Sequence, residues 1–304
     1  MPSTQEFRRR IKSVNNTKQI TKAMEMIASI KMQKSVKTIT QARDYIQNAW
    51  NILHMISKKA LPENHPLVSP KKINKTAVIL ITSDRGLCGS YNAEVIKKFV
   101  QFEKEKCACN NQTCGEFVGN CDVIAIGKIG AAYVNRYKIG KLIAEFKGFE
   151  NNVSIEDIIP ISKMSSGEYL AGNYDQVVLI YSHFVSSIKQ VPVAQQILPI
   201  IEEHIDNEEV WTPKETVSET EHKFEPSADA VIDGILIQIL RVQLFGAILE
   251  ANASEHSARM VAMKNATDNA TELVDELTLV YNSIRQSNIT TEIAEISAAA
   301  EAMK

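Results

Sequence analysis

The sequence predicts an α/β domain combined with a long antiparallel α-helical coiled coil, the coil formed by the N- and C-terminal helices and the central domain Rossmann-like. Three observations carry this. Apolar residues step by four and three through the N-terminal part of the chain. A second pattern of the same kind runs to the C-terminus, and short β-branched runs alternate with helical stretches between the two. The implied segments are a helix over 1–61, an α/β domain over 62–200, an acidic linker over 201–226 and a second helix over 227–304.

The first helix follows from its spacing. Phe7, Ile11, Val14, Lys18, Thr21, Glu25, Ala28, Met32, Ser35, Ile39, Ala42, Ile46, Ala49, Leu53 and Ile56 form one mostly apolar seam. No proline or glycine interrupts the stretch between Ser3 and Leu61, and Pro62 and Pro66 supply the stop. At the α-helical rise the element is roughly 80 Å long.

The second helix begins after Pro226 and extends on the order of 110 Å. Its seam steps through Leu240, Leu244, Ala247, Ala251, Ser254, Ala258, Ala262, Asn265, Asn269, Leu273, Leu277, Val280 and Ile284, with small side chains in the middle that permit close backbone approach. Residues 1–37 carry nine Lys or Arg against two Glu, and residues 250–304 carry nine Asp or Glu against four Lys or Arg. Opposite charge favours pairing the two helices with each other over self-pairing. If Ile56 lies near Ala228, Ser3 lies opposite Ser283, and about twenty C-terminal residues run on alone for about 30 Å. That tip holds Ile289, Ile293, Ile296, Ala298, Ala299 and Ala300 with few charges. It reads either as a frayed terminus or as a helix seated inside something else.

In the middle, residues 76–82 (TAVILIT) form a continuous β-branched run, as expected of a buried parallel strand. SDRGLCGSYN follows, then a helix over 93–106, a strand over 122–126, and a helix entered through Gly127 and Gly130. A short strand at 142–146, a helix over 154–171 and a buried strand over 176–181 come next, with a further strand at 191–197 that suits an antiparallel edge. Residues 201–225 hold nine acidic side chains and two lysines, the composition of a solvated linker.

With 44% hydrophobic residues and a net charge of -2, the chain is a globular protein of one or two domains and not a nucleic-acid binder. The apolar runs are shorter than a membrane span, and Arg8, Arg9 and Arg10 have no apolar segment behind them, so no secretory signal is read. A cytosolic or partner-held peripheral location follows. Cys107, Cys109, Cys114 and Cys121 cluster, but their spacing is not a common zinc pattern and no histidine lies nearby. A surface loop with reduced thiols is the preferred reading over a metal or redox site. Gly86 and Gly89 after a strand have the look of a phosphate-binding turn, but G-x-G-x-x-G is missing, and Gly127-Lys128-Ile129-Gly130 is no P-loop. His183 and His256 have no evident carboxylate or nucleophile partners. No catalytic set, cofactor site or metal site is expected.

Residues 10–35 (RIKSVNNTKQITKAMEMIASIKMQKS), 82–89 (TSDRGLCG), 250–270 (EANASEHSARMVAMKNATDNA) and 281–290 (YNSIRQSNIT) closely resemble the gamma-subunit family of F-type ATP synthases, in the same order of helix, α/β domain and helix. The resemblance implies a non-catalytic rotor stalk. Its coil threads the hexamer of alpha and beta subunits, and its α/β domain rests with the epsilon subunit on the membrane ring of c subunits. Proton flow turns the stalk, which drives the beta subunits through their binding states. A peripheral position on the cytoplasmic face of a bacterial plasma membrane is implied, with no membrane span of its own and no cofactor.

By motif, Met24 matches the position facing the acidic lever loop of the beta subunit, and Arg259, Gln286 and Thr290 match polar contacts to a beta-subunit loop. The alternative for each is a helix face packed within the shaft. Lys18, Lys22 and Lys31 either meet the acidic lever or are merely solvated. One departure is visible: Ala299 stands where the family usually has glycine, which favours helix by about 1 kcal/mol and should stiffen the tip. A different class of function, a nucleotide-binding α/β enzyme dimerised by its coiled coil, rests on Gly86 and Gly89.

Overall fold

The computed structural model describes residues 4–60, 65–69, 71–109, 121–150, 153–200 and 228–303. The acidic segment 201–225, Pro62, Pro226 and Cys114 lie outside them. The elements are α1 (Thr4–Ala60), β1 (Thr76–Ile81), α2 (Tyr91–Cys109), β2 (Cys121–Ile126), α3 (Lys128–Tyr137), β3 (Lys141–Phe146), α4 (Ile155–Leu170), β4 (Gln176–Phe184), β5 (Gln190–Leu198) and α5 (Ala228–Ala302). The chain divides into two compact units, Met1–Ser29 with Arg259–Lys304, and Ile30–Ala258.

The larger unit is built on a five-stranded sheet of order β3-β2-β1-β4-β5. The β1–β2, β1–β4 and β2–β3 pairs are parallel, and β5 closes the edge antiparallel to β4. All six residues of β1 are buried, which its unbroken TAVILI run requires of a central strand covered on both faces. Alternate side chains feed two cores. Ala77, Ile79 and Ile81 join Ile158 and Ile161 of α4, Ile39 of α1 and Leu236 to Leu249 of α5. Val78 and Leu80 join Val95 and Phe99 of α2 and Val134 of α3. At the edge, β3 is half-exposed in strict alternation, matching its KLIAEF pattern.

Helix α4 starts on a capping box. Ser154 Oγ accepts from Asp157 N at 3.4 Å, and Ser154 N donates to Asp157 Oδ2 at 2.8 Å. In this unit α5 is buried on all sides from residue 244 to residue 257. Its apolar window has a mean hydropathy of 1.6 and is long enough by composition to cross a bilayer, contrary to the reading of the sequence. However, 67% of that window is buried inside the protein, the signature of a core helix. The α1 and α5 segments of the unit also meet through a polar pair, Gln238 Nε2 donating to Tyr45 OH at 2.6 Å.

The smaller unit is an antiparallel helix pair. Along α1 the sheltered positions are Phe7, Ile11, Val14, Lys18, Thr21, Glu25 and Ala28, as the heptad stepping predicts, with Thr4, Asn15 and Met24 half-buried beside them. On α5 the register differs. Met263, Thr267 and Ala270 are buried and Val274, Leu277, Tyr281 and Ile284 half-buried, whereas Asn265, Asn269, Leu273 and Val280, expected on the seam, are exposed. A straight helix drifts by about 20° per heptad from a 3.5-residue repeat. The preceding stretch, buried all round, offers no apolar stripe to correct the count. Thr267 Oγ1 and Thr21 Oγ1 hydrogen-bond across the seam at 2.8 Å. That bond puts Thr4 level with about residue 284. Residues 285–303 are all exposed, so the predicted overhang begins where the pairing register ends it.

The candidate shaft surfaces and the crevice above the sheet

Consider first the crevice at the carboxyl ends of the parallel strands, where an open α/β sheet usually binds a ligand. Gly127 enters α3 at φ 101°, and a Cβ there would lie 2.1 Å from the Thr82 carbonyl oxygen. Gly130 is less tight, its Cβ position 2.8 Å from the side-chain Thr82 Oγ1. Both glycines therefore serve close packing of α3 onto β1. The α3 N-terminus already has its anion: Lys128 N donates to Asp84 Oδ1 at 3.0 Å, and Gly148 N donates to Oδ2 of the same carboxylate at 2.8 Å. Asn92 ties the β1–α2 turn by donating to Ser83 Oγ at 2.7 Å while accepting from Ser83 N at 3.0 Å. Gly86 has nothing within 4 Å of its Cβ position, and Gly89 takes φ 59°. The TSDRGLCG segment thus closes on itself, and a side chain of the protein holds the place a phosphate would take.

Of the four clustered cysteines, Cys121 alone has a described side chain. Cys121 is buried at the start of β2, not in a surface loop, and its thiol hydrogen-bonds the Glu103 carboxyl. Burial pushes that carboxyl above the usual range, and the thiol contact pulls it partly back. Cys107 and Cys109 lie on the last turn of α2, and their side chains are not among those described. Among the described residues no group of three or more His, Cys, Asp or Glu could hold a metal ion.

His183 does have a carboxylate partner, which the sequence reading missed. Its Nδ1 lies 2.6 Å from Glu250 Oε2, both side chains being largely buried. Tyr181, wholly buried, is pushed well above its ordinary range by burial, then by the charge of Glu250 and the hydrogen bond it makes to it. His256 Nε2 meets the Glu150 carbonyl oxygen at 3.3 Å. The His183 and Glu250 positions are 67 residues apart, so no local motif signals the pair.

On the helix pair, Met24 is half-buried beside the seam. Lys22, one of three lysines read as potential partners of an acidic loop, is paired with Glu25 at 3.1 Å, while Lys18 and Lys31 are half-buried. Arg259 is half-buried, and Gln286 and Thr290 are exposed one turn apart, with Thr290 Oγ1 donating to the Gln286 carbonyl at 2.9 Å. Through the Thr21–Thr267 register, Met24 and Arg259 stand within about two turns of each other, whereas Gln286 is about 40 Å from Arg259 along the helix. The four residues thus form two patches. A further apolar stripe, not singled out in the sequence, runs along the other side of α1: Ile20 and Ile27 are 61% and 55% exposed, with exposed Ala23 between them. Its signal was the three-four spacing of apolar residues off the main seam. On the overhang, Ile289, Ile293 and Ile296 are 47%, 59% and 70% exposed.

The two units together define a class of α/β protein that also carries an antiparallel pair of long helices with exposed apolar stripes. A family model described as ATP synthase matches residues 3–303. ATP synthase gamma chains of Nitrosomonas europaea and Desulfitobacterium hafniense are 37% and 38% identical to this chain, each over 100% of both sequences. Among solved structures, a Tetrahymena thermophila mitochondrial ATP synthase central stalk and c-ring chain is 26% identical with TM-score 0.58, covering 81% of this chain and 99% of its own. A chain of a Euglena gracilis mitochondrial ATP synthase shares the fold with TM-score 0.65 at 18% identity, covering 99% of this chain and 94% of its own. The chain belongs to the ATP synthase gamma-chain family. It is a non-catalytic stalk subunit of that membrane-associated, multi-subunit complex.

Proposed function

We propose that the α1–α5 pair is the turning shaft inside a head of alternating alpha and beta subunits, with Met24 and Arg259 as one contact patch toward beta and Gln286 and Thr290 as a second. The α/β domain over 62–200 meets the epsilon subunit and the c-ring, the segment 201–226 is an acidic link, and the complex sits on the cytoplasmic face of a bacterial plasma membrane. The observation that carries this is the overhang. Residues 285–302 continue as helix with no neighbour among the described residues while exposing three isoleucines at helical spacing. Most helical stability in proteins comes from packing an apolar face, which this stretch lacks, and exposed apolar surface invites association. A sleeve formed by other subunits resolves both difficulties. Against the nucleotide-binding alternative, Asp84 holds the N-terminus of α3 at the carboxyl end of the sheet, and Asn92 and Ser83 bond to each other within the turn that carries Gly86 and Gly89.

The test is Met24→Lys in the reconstituted complex. An added cation beside the paired Lys22 and Glu25 strengthens attachment to an acidic loop and resists rotation. The mutant complex should co-purify with alpha and beta subunits, while proton pumping per ATP hydrolysed falls several-fold. Pumping at the wild-type ratio would remove Met24 from the contact, and failure of the wild-type chain to co-purify would sink the stalk reading itself.

A further inference from the structure

One stretch of α5, residues 250–257, spends an unusual number of polar side chains on the inside of the protein. Glu250, Asn252, Ser254, Glu255, His256 and Ser257 are all buried. Apolar side chains would pack this helix at lower desolvation cost, so the polar ones call for a role. Five of them make hydrogen bonds that the structure resolves, and these fall on two flanks. At 100° per residue, 250, 254 and 257 share one flank, and 252 and 256 share another about 140° away.

On the first flank, Glu250 pairs with His183 of β4 at 2.6 Å. One turn on, Ser254 Oγ donates to the Ser182 carbonyl at 3.0 Å. Ser257 Oγ donates to the Ser187 carbonyl in the β4–β5 hairpin and accepts from Gln190 Nε2 at 3.3 Å. On the second flank, Asn252 Nδ2 donates to the Phe149 carbonyl at 2.6 Å, and His256 Nε2 meets the Glu150 carbonyl at 3.3 Å. The helix is therefore gripped from two sides, by the strand next to the sheet centre and by the segment that follows β3.

We propose that residues 250–257 form a torque clamp, the place where turning force passes between the α/β domain and helix α5. Burial of apolar surface is non-directional and lets a helix slip around or along its axis at small cost. Hydrogen bonds to fixed backbone carbonyls are directional and fail at short displacements, so bonds on two flanks resist rotation of the helix against the sheet. Glu250 and His183 are positioning residues, holding the helix in azimuth, and the serines lock its height. The inference rests on the stalk reading, since only a part that transmits rotation needs such a lock.

The experiment uses the whole complex carrying Ser254→Ala with Ser257→Ala, which removes two hydroxyls without changing the packing much. ATP hydrolysis should stay within twofold of wild type, because the hydrolytic sites are elsewhere. ATP-driven proton pumping should drop several-fold under load, and torsional stiffness of the single rotating complex should fall. Amide exchange over 250–257 should speed about fivefold for each lost bond. Ser254→Thr, which keeps a hydroxyl, should restore pumping. A defect of assembly alone would lower hydrolysis and pumping together, and unchanged stiffness and pumping ratio would overturn the clamp. Should the double variant not assemble, Glu250→Gln, which keeps shape and loses charge, carries the same readouts. If the wild-type complex fails to pump when hydrolysing, the stalk reading fails first, whereas the exchange result on the chain judges the clamp apart from it.

Discussion

Two glycines that look alike in the sequence should respond in opposite ways to a single methyl group. Gly127→Ala places a Cβ 2.1 Å from the Thr82 carbonyl oxygen and 2.7 Å from its carbon, both backbone atoms. Relief requires more than about 1 Å of movement where Thr82 N donates to the Ile126 carbonyl at 2.8 Å and Gly130 N donates to Thr82 Oγ1 at 2.9 Å. The φ of 101° adds about 1–3 kcal/mol for a residue with a side chain. Overpacking adds about 1–3 kcal/mol, and two weakened hydrogen bonds add about 1 kcal/mol each. The sum is roughly 4–8 kcal/mol, or a fall in Tm of about 8–32 °C for a domain of this size. Gly86→Ala meets nothing within 4 Å and needs no left-handed backbone, so it should be neutral or stabilise by about 0.4–1 kcal/mol through the unfolded chain. Hydrogen exchange of β1 and β2 amides, read by mass spectrometry on the purified chain, measures both. Equal protection in the two variants would refute the packing argument.

Glu103 offers a pH test. Its carboxyl titrates higher in the folded chain than in the unfolded one because it is buried, so the folded state holds the extra proton and stability falls as pH rises from the unfolded value through the raised folded one. Denaturant midpoints should decline across that window by up to about 1.4 kcal/mol per pH unit, and Glu103→Gln should flatten the decline; a variant with the wild-type slope would assign it to another group. In the helix pair, Thr21→Val, Thr267→Val and the double variant form a cycle around the 2.8 Å seam bond. The coupling should be about 0.5–1.5 kcal/mol, read from exchange of residues 259–284, and a coupling near zero would mean the two hydroxyls only back-bond to their own helices, to Lys18 and Met263.

The fold was legible where one physical demand dominated the local sequence. Ala77 to Ile81 must be apolar throughout because both faces of β1 are covered, and no helix of that length would need it. The seam of α1 was readable residue by residue from Phe7 to Ala28, since the helix packs along one side and leaves the others to solvent. The α5 register was not, because Ala251 to Ser257 are buried on all sides and the stripe that counts heptads disappears. The closing of the crevice by Asp84 depends on a backbone amide 44 residues away, and the Glu250–His183 pair on a partner 67 residues away. Contacts of that span are set by topology, and single-sequence periodicity is blind to them. Resemblance located the 250–270 motif without explaining it; the hydrogen bonds of Ser254 and Asn252 supply the explanation for its polar half.

Helix α5 meets three different environments along its 75 residues, and its composition changes with each. Where the sheet and other helices surround it, the helix is apolar with an inward polar ladder, which a surface helix could not tolerate. Where it pairs with α1 alone, Met263, Thr267, Ala270, Val274 and Leu277 face the seam and acids such as Asp268, Glu272 and Asp275 face water, which matches the basic character of α1. Beyond Ile284 it has no partner among the described residues, yet Ile289, Ile293 and Ile296 keep helical spacing and Ala298 to Ala300 keep high helix propensity. A solvated tail would gain from charge along this face, yet between Ile289 and Ala300 only Glu292 and Glu295 are charged. Retaining apolar side chains on a helix that is exposed by itself makes physical sense only where a weakly polar, smooth wall replaces the water: apolar contacts lack direction, so such a tip can turn against its bearing without breaking bonds. The same physics that forbids slip at Ser254 and Ser257 thus permits it at the far end, and one helix can be locked at one place and free to turn at another.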